Sequence, residues 1–258
     1  MTLPSPLHAL PKTGEVHVWT IPLDRSRVAE LQDCLSAEEK TRAERLRVTE
    51  IRERFIVCRA SVRQILGDYA GLSANEVPLD TTATGKPIWT TGNDPSLSFS
   101  IAHCGDLALL AVSSGVAVGI DLELVDNRLR PHALAAQMLS AREMAIFARL
   151  ESDQQAAAIL RAWTRKEAFL KAVGCGLGRP AAEVEVTFLD DEPPRVLATG
   201  ELNEHPQDWA LASWQLAVGG FAAVAARQEQ SPLLIHHLFA TSVQGASIVV
   251  RPAFACEA

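Results

Sequence analysis

The sequence predicts an α+β protein made of two similar halves related by a pseudo-twofold. Three observations predict it. Ser36-Ala37-Glu38-Glu39 and Ser140-Ala141-Arg142-Glu143 both fit a capping box, in which a serine caps a helix and a glutamate reaches back to it. Each box follows a candidate strand, Val16 to Ile21 in the first case and Val118 to Glu123 in the second. Each leads through helical sequence to a glycine stop, Gly71 or Gly174. The boundaries that follow are 1–112 for the first half, 113–227 for the second and 228–258 for a tail, with Ser113-Ser114-Gly115 as a short junction.

Along the first half, the region after the first box is locally basic. Lys40, Arg42, Arg45, Arg47, Arg52, Arg54, Arg59 and Arg63 face only Glu44, Glu50 and Glu53. Taken alone, these are the basic faces of two amphipathic helices. Thr84-Gly85-Lys86-Pro87 is a loop punctuated by Gly and Pro. Leu97 to His103 alternates as a strand with Leu97, Phe99, Ile101 and His103 on one face. Cys104-Gly105-Asp106 then turns the chain into the apolar run Leu107 to Val112, which makes a β-hairpin with His103 at its tip.

In the second half, Val118, Ile120 and Leu122 alternate with Gly119, Asp121 and Glu123. Residues two apart on a strand share a face, so Asp121 and Glu123 project side by side, away from the apolar face. Adjacent carboxylates repel unless a cation lies between them. Read alone, the pattern also fits a solvated edge strand. Trp163 to Lys171 reads as a helix on which Glu167 and Lys171, four apart, share a face. Alone, that pair is an ordinary surface ion pair. Further strands are expected near Val184–Phe188, Trp209–Leu216 and Phe221–Ala226. In the tail, Leu233 to Phe239 is an apolar segment that packs, and Ser247 to Val250 is a further candidate strand.

In this order, Gly85-Lys86-Pro87, Phe99 to His103, Gly119-Ile120-Asp121-Leu122-Glu123 and Trp163 to Lys171 resemble the motifs of the Sfp-type 4'-phosphopantetheinyl transferases. The resemblance runs from about Val16 to about Ala226. It implies transfer of the 4'-phosphopantetheine arm of coenzyme A to a serine of an apo acyl or peptidyl carrier protein, with release of 3',5'-ADP. Asp121, Glu123 and Glu167 would ligate Mg²⁺, a cation that suits all-oxygen ligation. Glu167 would help deprotonate the serine, and Lys171 would face the phosphates. Lys86 and His103 would contact coenzyme A phosphates, and Arg54 and then Arg42 are the choices for its 3'-phosphate. Since the site residues come from both halves, the active site is expected in the cleft between them. Three positions depart from the family pattern: Ser100, Ala102 and Cys104 stand where Asn, Ser and Ser or Thr are frequent.

The remaining composition narrows the classes. A net charge of −7 and a pI near 5.5 argue against general nucleic-acid binding. The five scattered cysteines have no metal-site spacing and read as reduced thiols. No apolar run is long enough to span a membrane and the first residues lack a signal-peptide pattern, so a cytoplasmic monomer is expected. No P-loop or glycine-rich kinase loop is present, which argues against an NTP-using phosphotransferase. A non-catalytic coenzyme A- or carrier-binding homologue is the alternative. It has no need of Asp121, Glu123, Glu167 and Lys171 together. For the carrier, Met138 to Arg161 offers Arg142, Arg149 and Arg161 beside Met144, Ile146 and Phe147.

Overall fold

The computed structural model describes residues 9–82, 87–90, 97–126, 128–175, 181–228 and 234–240. The chain begins with strand β1 (Glu15–Pro22), a short helix α1 (Val28–Leu31), α2 (Ala37–Arg45) and the long α3 (Thr49–Ala70). It continues through β2 (Leu79–Thr81), β3 (Pro87–Trp89), and the hairpin β4 (Leu97–Cys104) and β5 (Leu107–Ser114). After the turn at Gly115 come β6 (Val118–Leu124), α4 (Pro131–Met138), α5 (Ala141–Phe147) and the long α6 (Ser152–Val173). Two short strands, β7 (Glu185–Val186) and β8 (Val196–Ala198), precede the hairpin β9 (Trp209–Gln215) and β10 (Gly220–Arg227), and β11 (Leu234–Phe239) follows.

The same order of parts occurs twice. In one sheet β5 lies between β1 and β4, and in the other β10 lies between β6 and β9, all antiparallel. Both capping boxes form. Ser36 accepts from Glu39 N and Ser140 from Glu143 N, and each glutamate returns to its serine's backbone N–H. Both long helices end on a left-handed glycine, Gly71 at φ 67° and Gly174 at φ 83°.

Each box glutamate has a second task. Glu39 accepts from Arg59 and the buried Arg63, both on α3. Glu143 accepts from the buried Lys166 on α6 at 2.5 Å and from Val186 N at 2.9 Å. Lys166 completes its shell with the carbonyls of Met138 (2.7 Å) and Ala181 (3.1 Å). The residue that starts a short helix therefore also anchors the long helix next to it.

Strand alternation assigns the faces and produces four layers. Trp19, Ile21, Phe99, Leu110 and Val112 pack with Val57, Ala60 and Leu66 of α3. Val16, Val18, Leu109 and Ala111 on the opposite face meet Val118, Ile120, Leu122, Ala222 and Val224 of the other sheet. The outer face of that second sheet, through Ala223 and Ala225, lies under Ala168, Phe169 and Ala172 of α6. The order is helix, sheet, sheet, helix. Between the sheets, Ile120 N donates to Ser100 Oγ at 3.2 Å, which gives that serine a structural role.

Three expectations change. The strand expected over Val184–Phe188 shrinks to Glu185–Val186, because Phe188 turns into a separate cluster with Phe147 and Ile159. The strand β4 runs on through Cys104, so the turn itself is Gly105-Asp106 and His103 stands in the ladder opposite Ala108. The segment Leu234–Phe239 is a strand that pairs in parallel with β1, as the edge of the first sheet. Ile235 and Leu238 are buried there, on opposite faces. The strand expected over Ser247 to Val250 lies outside the described residues.

Candidate active site

Gly119, Asp121 and Glu123 occupy the face of β6 opposite the intersheet core, and α6 covers that face. A Cβ on Gly119 would lie 2.1 Å from the Ala168 carbonyl oxygen and 2.4 Å from Ala172 N, inside contact distance. The missing side chain is what lets the helix backbone approach the strand. This places Glu167 and Lys171 over Asp121 and Glu123. The solvated edge strand is thereby excluded: β6 is at an edge of its sheet, yet Asp121 is only 6% exposed.

The Lys171 side chain reaches across to the strand. Its Nζ lies 2.6 Å from Asp121 Oδ1 and 3.3 Å from the Ile120 carbonyl oxygen. The second oxygen, Asp121 Oδ2, is buried with no hydrogen-bond partner among the described residues. Burial pushes the Asp121 carboxyl up to about 6 despite the pull of Lys171, and the Glu167 charge adds to the rise. Glu123 rises to about 7, through burial first and then the charge of Asp121. Burial raises Glu167 as well, with Lys171 opposing. Three carboxyls that resist ionising together, with one buried oxygen left unbonded, form a donor set that a hard divalent cation would satisfy.

His103 stands at the end of β4 with much of its side chain open to solvent, and desolvation of the ring, followed by the Lys171 charge, lowers its pKa. Cys104 is half-buried, and burial, Glu123 and Asp121 hold its thiol protonated. Arg54 reaches the same hairpin end, with its Nε 2.7 Å from Asp106 Oδ1. The Arg42 guanidinium sits 5.3 Å from the centre of the Phe55 ring, next to Arg54 in the chain. Lys86 lies outside the described residues. Ala102, which replaces a frequent serine, packs into the intersheet core.

Two residues within the motifs, Gly119 and Lys166, position the site in ways the sequence pattern did not state. Gly119 stood at the head of the Gly119 to Glu123 motif, but nothing in the sequence said that a helix backbone packs against it. Lys166 adjoins Glu167, and the clue was the Ser140–Glu143 box that supplies its partner. Gly119→Ala is expected to push α6 away from β6. It should cost about 1–3 kcal/mol in chemical denaturation, the range for overpacking. Transfer should fall about 10²-fold, since displacing reacting groups by an ångström has that effect. A wild-type rate in the folded variant would mean the close approach does not set the site.

The molecule is thus two abutting sheets, each backed by a long helix, with a carboxylate cluster and a lysine at the edge of one. Residues 117–226 match the model of the 4'-phosphopantetheinyl transferase superfamily, and residues 19–115 match that of a 4'-phosphopantetheinyl transferase N-terminal region. The 4'-phosphopantetheinyl transferase HetI of Nostoc sp. is 35% identical over 227 residues, covering 85% of this chain and 94% of the relative. The transferase psf-1 of Bacillus pumilus is 27% identical, over 80% and 87% of the two chains. The human L-aminoadipate-semialdehyde dehydrogenase-phosphopantetheinyl transferase is 26% identical, over 75% and 67%. The chain belongs to the 4'-phosphopantetheinyl transferase superfamily.

Proposed function

We propose that this chain transfers the 4'-phosphopantetheine arm of coenzyme A to a carrier-protein serine at the edge where β4 meets β6, with Asp121, Glu123 and Glu167 as ligands of Mg²⁺. Family membership supports the reaction. The single observation that supports the metal assignment is the buried, unbonded Asp121 Oδ2 among carboxyls with raised pKa values. When bound, the cation would neutralise charge on the pyrophosphate and the leaving nucleotide.

The chain's own residues do the rest. Glu167 accepts the serine proton as the serine oxygen bonds to the phosphorus that carries pantetheine. The bond from that phosphorus to the oxygen of 3',5'-ADP breaks. In the metal-free protein burial raises the Glu167 pKa, with Lys171 opposing, and a bound cation would pull it down again. Lys171 Nζ steers the phosphates and offsets charge on the departing oxygen. His103, whose pKa is lowered by burial and by Lys171 in the ligand-free protein, contributes a hydrogen bond to a phosphate. Arg54 uses Nε on Asp106, and its terminal nitrogens would meet the 3'-phosphate, with Arg42, held over the Phe55 ring, as the second choice and Lys86 as a further phosphate contact that the resemblance implies. Calorimetric titration with coenzyme A tests these contacts. His103→Ala and Arg54→Ala should weaken binding, and unchanged affinity in both would remove them from the site.

The division of the chain at 112 and 227, with the ligand cleft between the halves, belongs to the same proposal, and so does action as a cytoplasmic monomer. Among the described residues no helix is long and apolar enough to cross a membrane. For the carrier, the helical face needs revision. Phe147 is fully buried, and Arg161 pairs with Asp190 at 2.7 Å and donates to the Phe188 carbonyl. Arg142, Arg149 and Ile146 remain exposed on and beside α5. Reversing the charge at Arg142 or Arg149 should raise KM for the carrier and spare that for coenzyme A. Unaltered carrier kinetics in both variants would remove α5 from the docking face.

Stability should report the carboxylates. Their folded pKa values exceed the unfolded ones, so the native state holds more protons between about pH 4 and pH 7. Their contribution is present at low pH and is lost as pH rises through about 6 and about 7. The metal-free protein should therefore melt lower at about pH 8 than at about pH 5.5, and Mg²⁺ should stabilise it more at the higher pH. Equal Mg²⁺ stabilisation at both values would contradict the assignment.

A further inference from the structure

The geometry points to a second metal site, at the start of β1, where Glu15, His17 and His236 would bind a divalent d-block cation of the Zn²⁺ type and tie β11 to β1. Each of the three offers one ligand atom, and these atoms lie within 4.8 Å of one another. All three fall outside the segments 19–115 and 117–226 that match the family models.

The strands bring the residues together. Glu15 and His17 are two apart on β1 and share a face, and the parallel pairing sets His17 directly beside His236 of β11. The two imidazoles meet edge to face with centroids 5.3 Å apart. Two features go beyond proximity. His236 Nε2 is buried with no hydrogen-bond partner among the described residues, and Glu15 Oε1 lies 3.8 Å from it, too far for a hydrogen bond. The other ligands are already oriented from behind. Glu15 Oε2 accepts from Lys12 N at 3.0 Å, which leaves Oε1 toward His236. His17 Nδ1 lies 2.7 Å from Tyr69 Oη, and Trp19 Nε1 donates to the same oxygen at 2.9 Å. In the tautomer whose Nδ1–H donates to Tyr69, His17 ligates through Nε2, with the hydroxyl fixing the ring from behind.

The donor set selects the metal class. Two imidazoles and one carboxylate suit Zn²⁺ and its neighbours, whereas Mg²⁺ prefers oxygen alone. Three protein ligands leave one position for water. Bonds of about 2.0–2.2 Å put tetrahedral ligand atoms about 3–3.5 Å apart, a contraction of roughly an ångström that side-chain rotation supplies. This chemistry is distinct from the all-carboxylate cluster under α6.

The test is a Zn²⁺ titration of chelator-stripped, tag-free full-length protein by calorimetry, with Co²⁺ as a coloured substitute. One equivalent should bind with imidazole ligation, raise Tm and give the ligand-field absorption of a four-coordinate site. That equivalent should disappear in His17→Gln and His236→Gln and persist in Glu123→Gln, which alters only the other cluster. Tyr69→Phe should weaken it by about 10-fold, as loss of an outer hydrogen bond does. If the histidine variants fail to fold, the imidazole nitrogen resonances of the wild type decide, since Zn²⁺ must shift those of His17 and His236. No uptake by the wild type, uptake lost only in Glu123→Gln, or unshifted imidazole resonances would overturn the site.

Discussion

Asp121→Asn should lower phosphopantetheine transfer by at least about 10²-fold while the protein stays folded, a loss on the scale seen when one charge-stabilising group is removed. The substitution keeps the shape of the side chain and removes only its charge. In the native protein that charge is expensive, since burial pushes the carboxyl up to about 6. The neutral amide therefore should not destabilise the fold at neutral pH. What it removes is the anionic oxygen that the metal reading requires and the ion pair with Lys171 at 2.6 Å. Glu167→Gln should act in the same direction. The informative readout is the turnover rate together with the melting temperature. Near-normal turnover in a folded Asp121→Asn protein would take this residue out of the metal site.

Glu143→Ala should destabilise the protein by about 3–5 kcal/mol, the usual consequence of removing one partner from a buried ion pair. Lys166 is fully buried, and burial already lowers its pKa against the pull of Glu143. Without the carboxylate, Lys166 keeps, among the described residues, the two carbonyls of Met138 and Ala181. The N–H groups of Ser140 and Val186 lose their acceptor as well. Because Lys166 immediately precedes Glu167, the loss should reach the site, and transfer should fall along with stability. Urea denaturation measures the first effect directly. A loss below about 1 kcal/mol, the value of an exposed pair, would mean the contact is not holding α6.

Local signals were the legible ones. Both capping boxes and both glycine stops follow from hydrogen bonding and backbone preference within a few residues, and all four appear as expected. The alternation of β6 placed Asp121 and Glu123 on one face correctly, because strand periodicity is local too. What covers that face was not legible. Gly119 says that something comes close, but not that it is α6. The parallel pairing of β11 with β1 joins segments far apart in the sequence, and no local pattern records it. Phe147 was misplaced for a related reason: a seven-residue helix with Arg142, Ile146, Phe147 and Arg149 on or beside it does not announce which apolar side chain faces inward. The first half illustrates the limit further. It has the same strand order and a matching long helix, yet β1 carries Trp19 and Ile21 in the core where β6 carries its carboxylates. A repeated fold with chemistry in one copy is recognised from the side chains, since the architecture is the same in both.

The most direct test of the whole account is intact-mass analysis of a panel of apo carrier proteins incubated with this protein, coenzyme A and Mg²⁺. Fatty-acid, polyketide, peptide-synthetase and lysine-pathway carriers belong in the panel. A gain of one phosphopantetheinyl arm on a carrier, abolished by EDTA and strongly reduced with Asp121→Asn, is the predicted result. Full transfer in EDTA would contradict the metal cluster, and no gain on any carrier despite measurable coenzyme A binding would contradict the transferase itself.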